Sequence, residues 1–404
     1  MTVALDEPAL ARLFDWMVTG AKGASNAVLV LQRFCDDARA AGVRIERVAA
    51  FVRTLHPHIM GRSFTWEAGK SVIVREASYE VLQSASYKAS PVYAVTLTGS
   101  SIRERLAESV APRRFPVLDD LANEGFTDYF VGALEFLSGQ RHGITFASKA
   151  AGGFSDEEIA AIERLLHPLA RIAEILALNR TAVNLLNTYV GRNAGERILN
   201  GDIVRGHSDA IRALIWFSDL RGFTELTSRA EPAVVIGVLN ELFECQVPAI
   251  EKHGGEVLKF MGDGLLAIFP IDAPAPTRPS AEAIAERALG AAEDAFSALE
   301  ALNVRRAARA EAPVKFGLAL HLGEVAYGNI GGAGRLDFTC IGSAVNLAAR
   351  LEGLTGKLDR PVILSDELAR LTARKLERLG PFELKGVDGE RHVFAPTEGA
   401  LSHW

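Results

Sequence analysis

Leu10, Leu13, Phe14 and Met17 recur at the three- and four-residue spacing of a helix that buries one face. Two strand-like runs follow, Arg47 to Leu55 and Ser71 to Arg75. Val131 to Leu137 and Gly143 to Ser148 read as a hairpin. After a Gly152-Gly153 break, Ser155-Asp-Glu-Glu158 opens a helix as a capping box does. The first part of the chain is therefore expected to be α+β. From Ile162 onward, Leu165, Leu169, Ile172, Leu176, Asn179, Val183 and Leu186 alternate three and four residues apart, the pattern of a parallel two-helix connector. Pro168 inside that run keeps a second reading open, in which this is the last amphipathic helix of the first domain.

The closing elements of this segment, a hairpin, a glycine break and a capped helix, resemble those of a GAF domain, a small-molecule or regulatory sensor fold. The resemblance implies a GAF-like domain over residues 1–178. Residues 179–208 then form a helical connector ending in a glycine-broken hinge, and 209–404 a second domain. Within the latter, Asp272 to Glu311 begins Ala-Pro-rich and continues Ala/Arg/Glu-rich, which predicts a surface arm or insertion.

Composition narrows the classes. A chain of 404 residues suits two domains. With 49% apolar and 23% charged residues and a net charge of −6, it is globular and offers no bulk attraction to nucleic acid. No run approaches the ~20 apolar residues of a membrane span, and Asp6 and Glu7 stand where a signal peptide would carry positive charge. The expected location is cytoplasmic. Cys35, Cys245 and Cys340 lack ligand spacing and read as packing residues. His56-Pro-His58 reads as a loop rather than a metal site.

Three segments carry chemistry. Ala213 to Phe217 is a strand leading into Ser218-Asp219-Leu220-Arg221-Gly222-Phe223-Thr224, so Asp219 ends a strand. The amides of Phe223 and Thr224, at a helix start, could receive phosphate oxygens. Lys259-Phe-Met-Gly-Asp263-Gly264 forms a hairpin tip. Asp263 beside Asp219 would pair two carboxylates that repel unless a cation or a raised pKa relieves them. Thr339 to Glu352 is a strand turning at Gly342 into a helix expected to be capped by Ser343. On that helix Asn346 and Arg350 share the polar face, and Leu347, Ala348 and Leu351 the apolar one.

Taken in order, FSDLRGFT (217–224), KFMGD (259–263), YGNIG (327–331), FTCIGSAVNLAARLE (338–352) and ELKG (383–386) resemble class III adenylate and guanylate cyclases over about residues 209–396. The resemblance implies a ferredoxin-like α/β catalytic domain working as a head-to-tail homodimer with composite sites. It implies that Asp219 and Asp263, with the backbone of Leu220, hold two Mg²⁺ per site, Mn²⁺ being a substitute. Lys259 and Thr339 match the base-selecting positions, Asn346 the ribose-orienting asparagine, Arg350 the arginine on the reacting phosphate, and Lys385 a lysine on the terminal phosphates. The implied reaction converts ATP to 3′,5′-cyclic AMP and pyrophosphate. Threonine at 339, where aspartate is commoner, resembles the class IIIb subgroup, several members of which respond to bicarbonate. Two alternatives stay open, a guanylate cyclase and a non-catalytic nucleotide-binding regulator. For the N-terminal domain a small-molecule effector, a partner contact and a role in dimerisation are all expected possibilities.

Overall fold

The computed structural model describes residues 4–108, 112–271, 279–387 and 389–402. They divide into two compact units, Met1–Leu185 and Leu186–Trp404.

The first unit contains α1 (Glu7–Val18), α2 (Ala27–Ala40), β1 (Arg47–Arg53), β2 (Gly61–Glu67), β3 (Ile73–Ala77), α3 (Ala85–Lys88), α4 (Pro91–Thr98), β4 (Ile102–Arg105), α5 (Pro116–Asn123), β5 (Asp128–Glu135), β6 (Arg141–Ser148) and the start of α6 (Asp156–Val190). The strands form one sheet in the order β3-β2-β1-β6-β5-β4, and every pairing is antiparallel. Alternating side chains supply two cores. On one face Val48, Phe130 and Phe146 meet Leu10, Phe34 and Leu165 of the helices α1, α2 and α6. On the other, Tyr129 and Val131 meet Val92 and Leu118 of α4 and α5.

The expected capping box is present. The Ser155 amide donates to Glu158 Oε2 (2.6 Å) and the Glu158 amide to Ser155 Oγ (3.2 Å). Glu158 also accepts from the backbone and Nε of Arg44, at 2.8 and 2.9 Å, which ties α6 to the segment before β1. α6 then runs unbroken past Pro168. Leu165, Leu169 and Ile172 sink into the first core, so this part of the expected connector stripe behaves as the last helix of its own domain. A different stripe of α6 is exposed: Ile175, Leu178, Leu185 and Tyr189.

The second unit comprises α7 (Arg192–Leu199), β7 (Ser208–Leu220), α8 (Phe223–Arg229), α9 (Pro232–Lys252), β8 (Glu256–Met261), β9 (Gly264–Pro270), α10 (Ala281–Ala308), β10 (Phe316–Gly332), β11 (Arg335–Ile341), α11 (Ser343–Leu358), β12 (Val362–Ser365), α12 (Asp366–Ala369), β13 (Leu376–Glu383) and β14 (Glu390–Pro396). Its sheet runs β13-β14-β12-β10-β7-β9-β8, with β11 hairpinned onto β10. The β10–β12 pair is parallel. α9 and α10 cover one face. α11 covers the other, joined by Ala194 of α7.

Three expectations are corrected here. The Ala-Pro-rich start of the supposed arm, 272–278, lies outside the described residues, but the remainder is α10, a core helix. Its Ala285, Ala288, Ala292 and Ala295 pack beside Leu289 and Phe296 against the sheet; small side chains there permit close approach, and Glu286 and Glu293 point outward to Arg374. The expected absence of a long apolar run fails for α9, which is long and apolar enough to span a membrane by length and composition. Its Val238, Leu242, Cys245, Ala249 and Ile250 are committed to the core instead. The glycine-broken hinge contains α7, which is packed onto the sheet. All three cysteines are free and buried, as expected of packing residues.

Burial alone would raise the Glu158 carboxyl, but the hydrogen bond from Arg44 and the amides of Ser155 and Arg44 overcome it and hold its pKa below the ordinary 4.5. A lowered acid contributes stability that is full above its unfolded pKa and lost as pH falls through the folded one. Glu158→Gln is expected to destabilise the first unit by about 2 kcal/mol at pH 7. Urea unfolding of wild type and variant at pH 7 and at pH 3.5 checks this, since the gap should narrow at the lower pH.

Candidate active site

β7 delivers Asp219 one residue before its end. Across the sheet Asp219 faces Gly264 of β9 and Gly317 of β10. A Cβ at Gly317 would overlap the Arg221 guanidinium, the Thr355 hydroxyl and the Glu352 carboxylate. Glycine is therefore required where the Arg221–Glu352 ion pair crosses the strand. Asp263 sits at the tip of the two-residue β8–β9 hairpin, where Gly262 takes the positive φ (+68°) that such tight turns demand.

The two carboxyls meet, as the sequence predicted. The Asp219 carboxyl is pushed up to about 7, first by burial, then by the Asp263 charge, the Glu352 charge and a hydrogen bond with Asp263; Arg221 opposes them. Among the described residues no group of three or more His, Cys, Asp or Glu side chains could hold a metal. The protein thus supplies two adjoining carboxyls whose repulsion, partly offset by Arg221, is expressed as the raised Asp219 pKa. That donor set fits a hard divalent cation such as Mg²⁺ or Mn²⁺, which takes oxygen ligands and shares them with substrate phosphates. The Leu220 side chain is buried, so only its backbone can face a ligand.

Beyond Gly222 the chain enters α8, whose first helical bond runs from the Leu226 amide to Gly222 O. The amides of Phe223 and Thr224 precede that bond and so have no acceptor within the helix. The Phe223 ring packs against the core and Thr224 is exposed.

Lys259 lies in β8 just after a bulge at Leu258. Burial pushes the Cys340 thiol up to about 11 and the Lys259 ammonium opposes it, so the lysine lies within electrostatic reach of Cys340 in β11. Thr339 is 3% exposed, and its Oγ1 is buried without a hydrogen-bond partner. In α11, Leu347, Ala348 and Leu351 are buried while Asn346 and Arg350 are exposed on one face, in the predicted arrangement. The helix is entered through Gly342 with no side-chain cap, so the expected cap by Ser343 is not made. Lys385 is exposed in the β13–β14 connection.

Asp219 and Asp263 thus come together, whereas Lys259 is linked only to Cys340, the residue after Thr339. Register sets Thr339 apart: through Gly328 it is level with Ser208, the first residue of the 13-residue strand β7, whereas Lys259, through Leu266, is level with Phe217, and Asp219 nearly ends the strand. Sequence reasoning missed Gly317, Arg221 and Glu352, although an Arg two residues after a candidate metal ligand was in view. In YGNIG, Asn329 is structural, donating from its side chain to the Asp202 carbonyl at 2.9 Å.

Residues 208–395 match the sequence profile of the Adenylate and Guanylate cyclase catalytic domain. This part of the chain belongs to that family. An adenylate cyclase of Anabaena cylindrica is 29% identical over 184 residues, 46% of this chain and 35% of that protein. Adenylate cyclase 1 of Rhizobium meliloti is 28% identical over 207 residues, 48% of this chain and 30% of that protein. The chain therefore spans only about a third of the length of these relatives. The structure of a bacterial light-regulated adenylyl cyclase is similar in fold, at 19% identity and a TM-score of 0.50, covering 67% of this chain and 85% of that one. A guanylyl cyclase structure aligns at 30% identity and a TM-score of 0.41 over 46% of this chain and 92% of that one.

A carboxyl raised by folding from 3.8 to about 7 lowers stability as pH rises between those values. In chelator at pH 8, Asp219→Asn is expected to raise the Tm of the second unit by about 2–4 °C, the shift that ~1 kcal/mol of relieved repulsion gives a domain of this size. At pH 3.5 the gain should vanish. Thermal unfolding at both pH values, repeated with Mn²⁺ to see whether wild type alone is stabilised, checks the assignment.

Proposed function

We propose that the second unit converts ATP to 3′,5′-cyclic AMP and pyrophosphate at a site completed by a second copy of the chain, under the control of a GAF-like first unit. The carboxylate pair, held together against its own repulsion at the end of β7, carries the reading of catalysis. Divalent cations bound there would supply charge neutralisation at the phosphates and activation of the ribose 3′-hydroxyl. In the reaction a bond forms between O3′ and the α-phosphorus while the bond from that phosphorus to the pyrophosphate oxygen breaks.

The chain's own groups divide the remaining work. Arg350, exposed on α11 with no ion-pair partner among the described residues, neutralises charge on the reacting phosphoryl group, and Asn346 beside it orients the ribose. The Phe223 and Thr224 amides and Lys385 take the outer phosphates. Lys259 donates to an adenine ring nitrogen and the Thr339 hydroxyl accepts from the exocyclic amine. The buried, unpartnered Thr339 oxygen supports a base as its partner, since such a group is costly to leave unpaired. A composite site is supported by the offset of the carboxylates from Thr339 along β7. The six-stranded antiparallel sheet between two helical layers supports a GAF-like sensor.

Cyclic nucleotide formation from ATP and from GTP, with Mg²⁺ or Mn²⁺, tests the assignment against Asp219→Ala. Wild type should use ATP faster and the variant neither; faster GTP turnover would overturn the adenine reading. Arg350→Ala is expected to lower kcat by about 10²–10³ while leaving ATP affinity nearly unchanged. Near-normal turnover in that variant would remove the role given to Arg350.

A further inference from the structure

In the first unit, a cleft of about 620 Å³ lies between the sheet, α2 and α6, within the size range of small-molecule sites. Apolar side chains such as Phe64, Ala173 and Leu176 make most of its wall. One end differs. The Thr54 hydroxyl borders it and is buried without a partner. Arg62, opposite Val52 in the β1–β2 register, borders it too. Its Nε and one terminal nitrogen are taken by Glu76 Oε1, at 3.1 and 2.6 Å, which leaves the other edge of the guanidinium for a ligand.

His142 adds a third donor to this neighbourhood. It borders a smaller cavity of about 170 Å³ that shares Val52 and Arg62 with the first. Its Nδ1 accepts from the Arg53 amide at 3.2 Å. The neutral ring therefore carries its hydrogen on Nε2, which is buried without a partner. The Thr54 hydroxyl and the Arg62 guanidinium edge border the cleft itself, His142 only the adjoining cavity, and all of them can donate. The matching ligand group is an acceptor, and the planar guanidinium favours a carboxylate. Glu76 on the same guanidinium disfavours a doubly charged phosphate.

We propose that this cleft binds an amphipathic monocarboxylic acid, its apolar body between the sheet and α6 and its carboxylate at Thr54 and Arg62. Binding stands on the cleft alone; its effect on catalysis rests on the regulatory reading of the first unit.

The full chain would be titrated by calorimetry with dodecanoate, dodecanol and dodecyltrimethylammonium below their micellar concentrations, with Tm followed in parallel. Dodecanoate should bind once per chain and raise Tm, about tenfold tighter than the alcohol, with no binding of the cation. Thr54→Val should weaken dodecanoate about fivefold with the Tm of the free protein unchanged. Ala177→Phe, which fills the cleft from α6, should abolish binding in a folded protein. Equal binding of all three amphiphiles, no binding to wild type, or unchanged binding in Ala177→Phe would each overturn the proposal. So would a failure to bind combined with dissociation of a dimer by Ala177→Phe, which would give the cleft to a second copy. Saturable binding with unchanged cyclic AMP formation would leave the site standing and remove the regulatory reading instead.

Discussion

The register of β7 is the constraint on which the second unit depends. Both faces of the strand are buried, Leu214 and Trp216 toward α9 and α10, Ala213 and Ile215 toward α11. A slip of one residue would exchange those faces and push the Asp219 carboxylate into the layer that now holds Leu220. The two layers hold side chains of different size, Leu214 and Trp216 on one side and Ala213 and Ile215 on the other, so the exchange would mispack both and Asp219 is fixed at the strand end by packing. The same register fixes its neighbours across the sheet, Gly264 and Gly317, and so the room in which Arg221 reaches Glu352.

That fixed position concentrates negative charge. Asp219, Asp263 and Glu352 act on one another, with Arg221 the opposing cation. Left to itself such a cluster would spread apart or take up a proton. Here the hairpin carrying Asp263 is held by pairing of β9 with β7, and Glu352 is buried on α11. The site is therefore preorganised by packing at a cost in local stability, which is the usual relation between a binding centre and the scaffold that holds it.

Much of this was legible in the sequence because it is written locally. A strand followed by Asp and a Gly turn, a Gly-Asp-Gly hairpin tip, and a helix with Asn346 and Arg350 opposite Leu347 and Leu351 each announce their geometry within a few residues. The Ser155–Glu158 box is another such case. What escaped depends on partners distant in sequence. The alanines of α10 look like a solvated arm until the sheet they approach is known. α6 carries two apolar stripes, and only the tertiary core decides that Leu165, Leu169 and Ile172 are the buried ones. The need for glycine at 317 arises from Arg221 and Glu352, which the chain brings from either side of it. The composition of α9 passes a test for membrane spans because a core helix covering a sheet meets the same demand.

α7 shows how far such distant contacts reach into the site. The Asn193 side chain and the Ala194 amide bind the Glu256 carboxylate, whose oxygens accept from the Tyr327 hydroxyl at 2.9 and 2.8 Å. Burial raises the Glu256 pKa, and the hydrogen bonds from Tyr327, Asn193 and Ala194 counter it; loss of α7 would leave that carboxylate poorly satisfied in a dry place. The Arg197 guanidinium lies across the rings of Tyr327 and Phe338, 5.5 and 5.1 Å from their centroids. Glu256 shares its strand with Lys259, and Phe338 adjoins Thr339. The helix through which the chain enters the second unit is thus fastened to the two strands that carry Lys259 and Thr339. Through β8 the same fastening continues to the hairpin tip that carries Asp263, whereas Asp219 is held by β7 between β9 and β10.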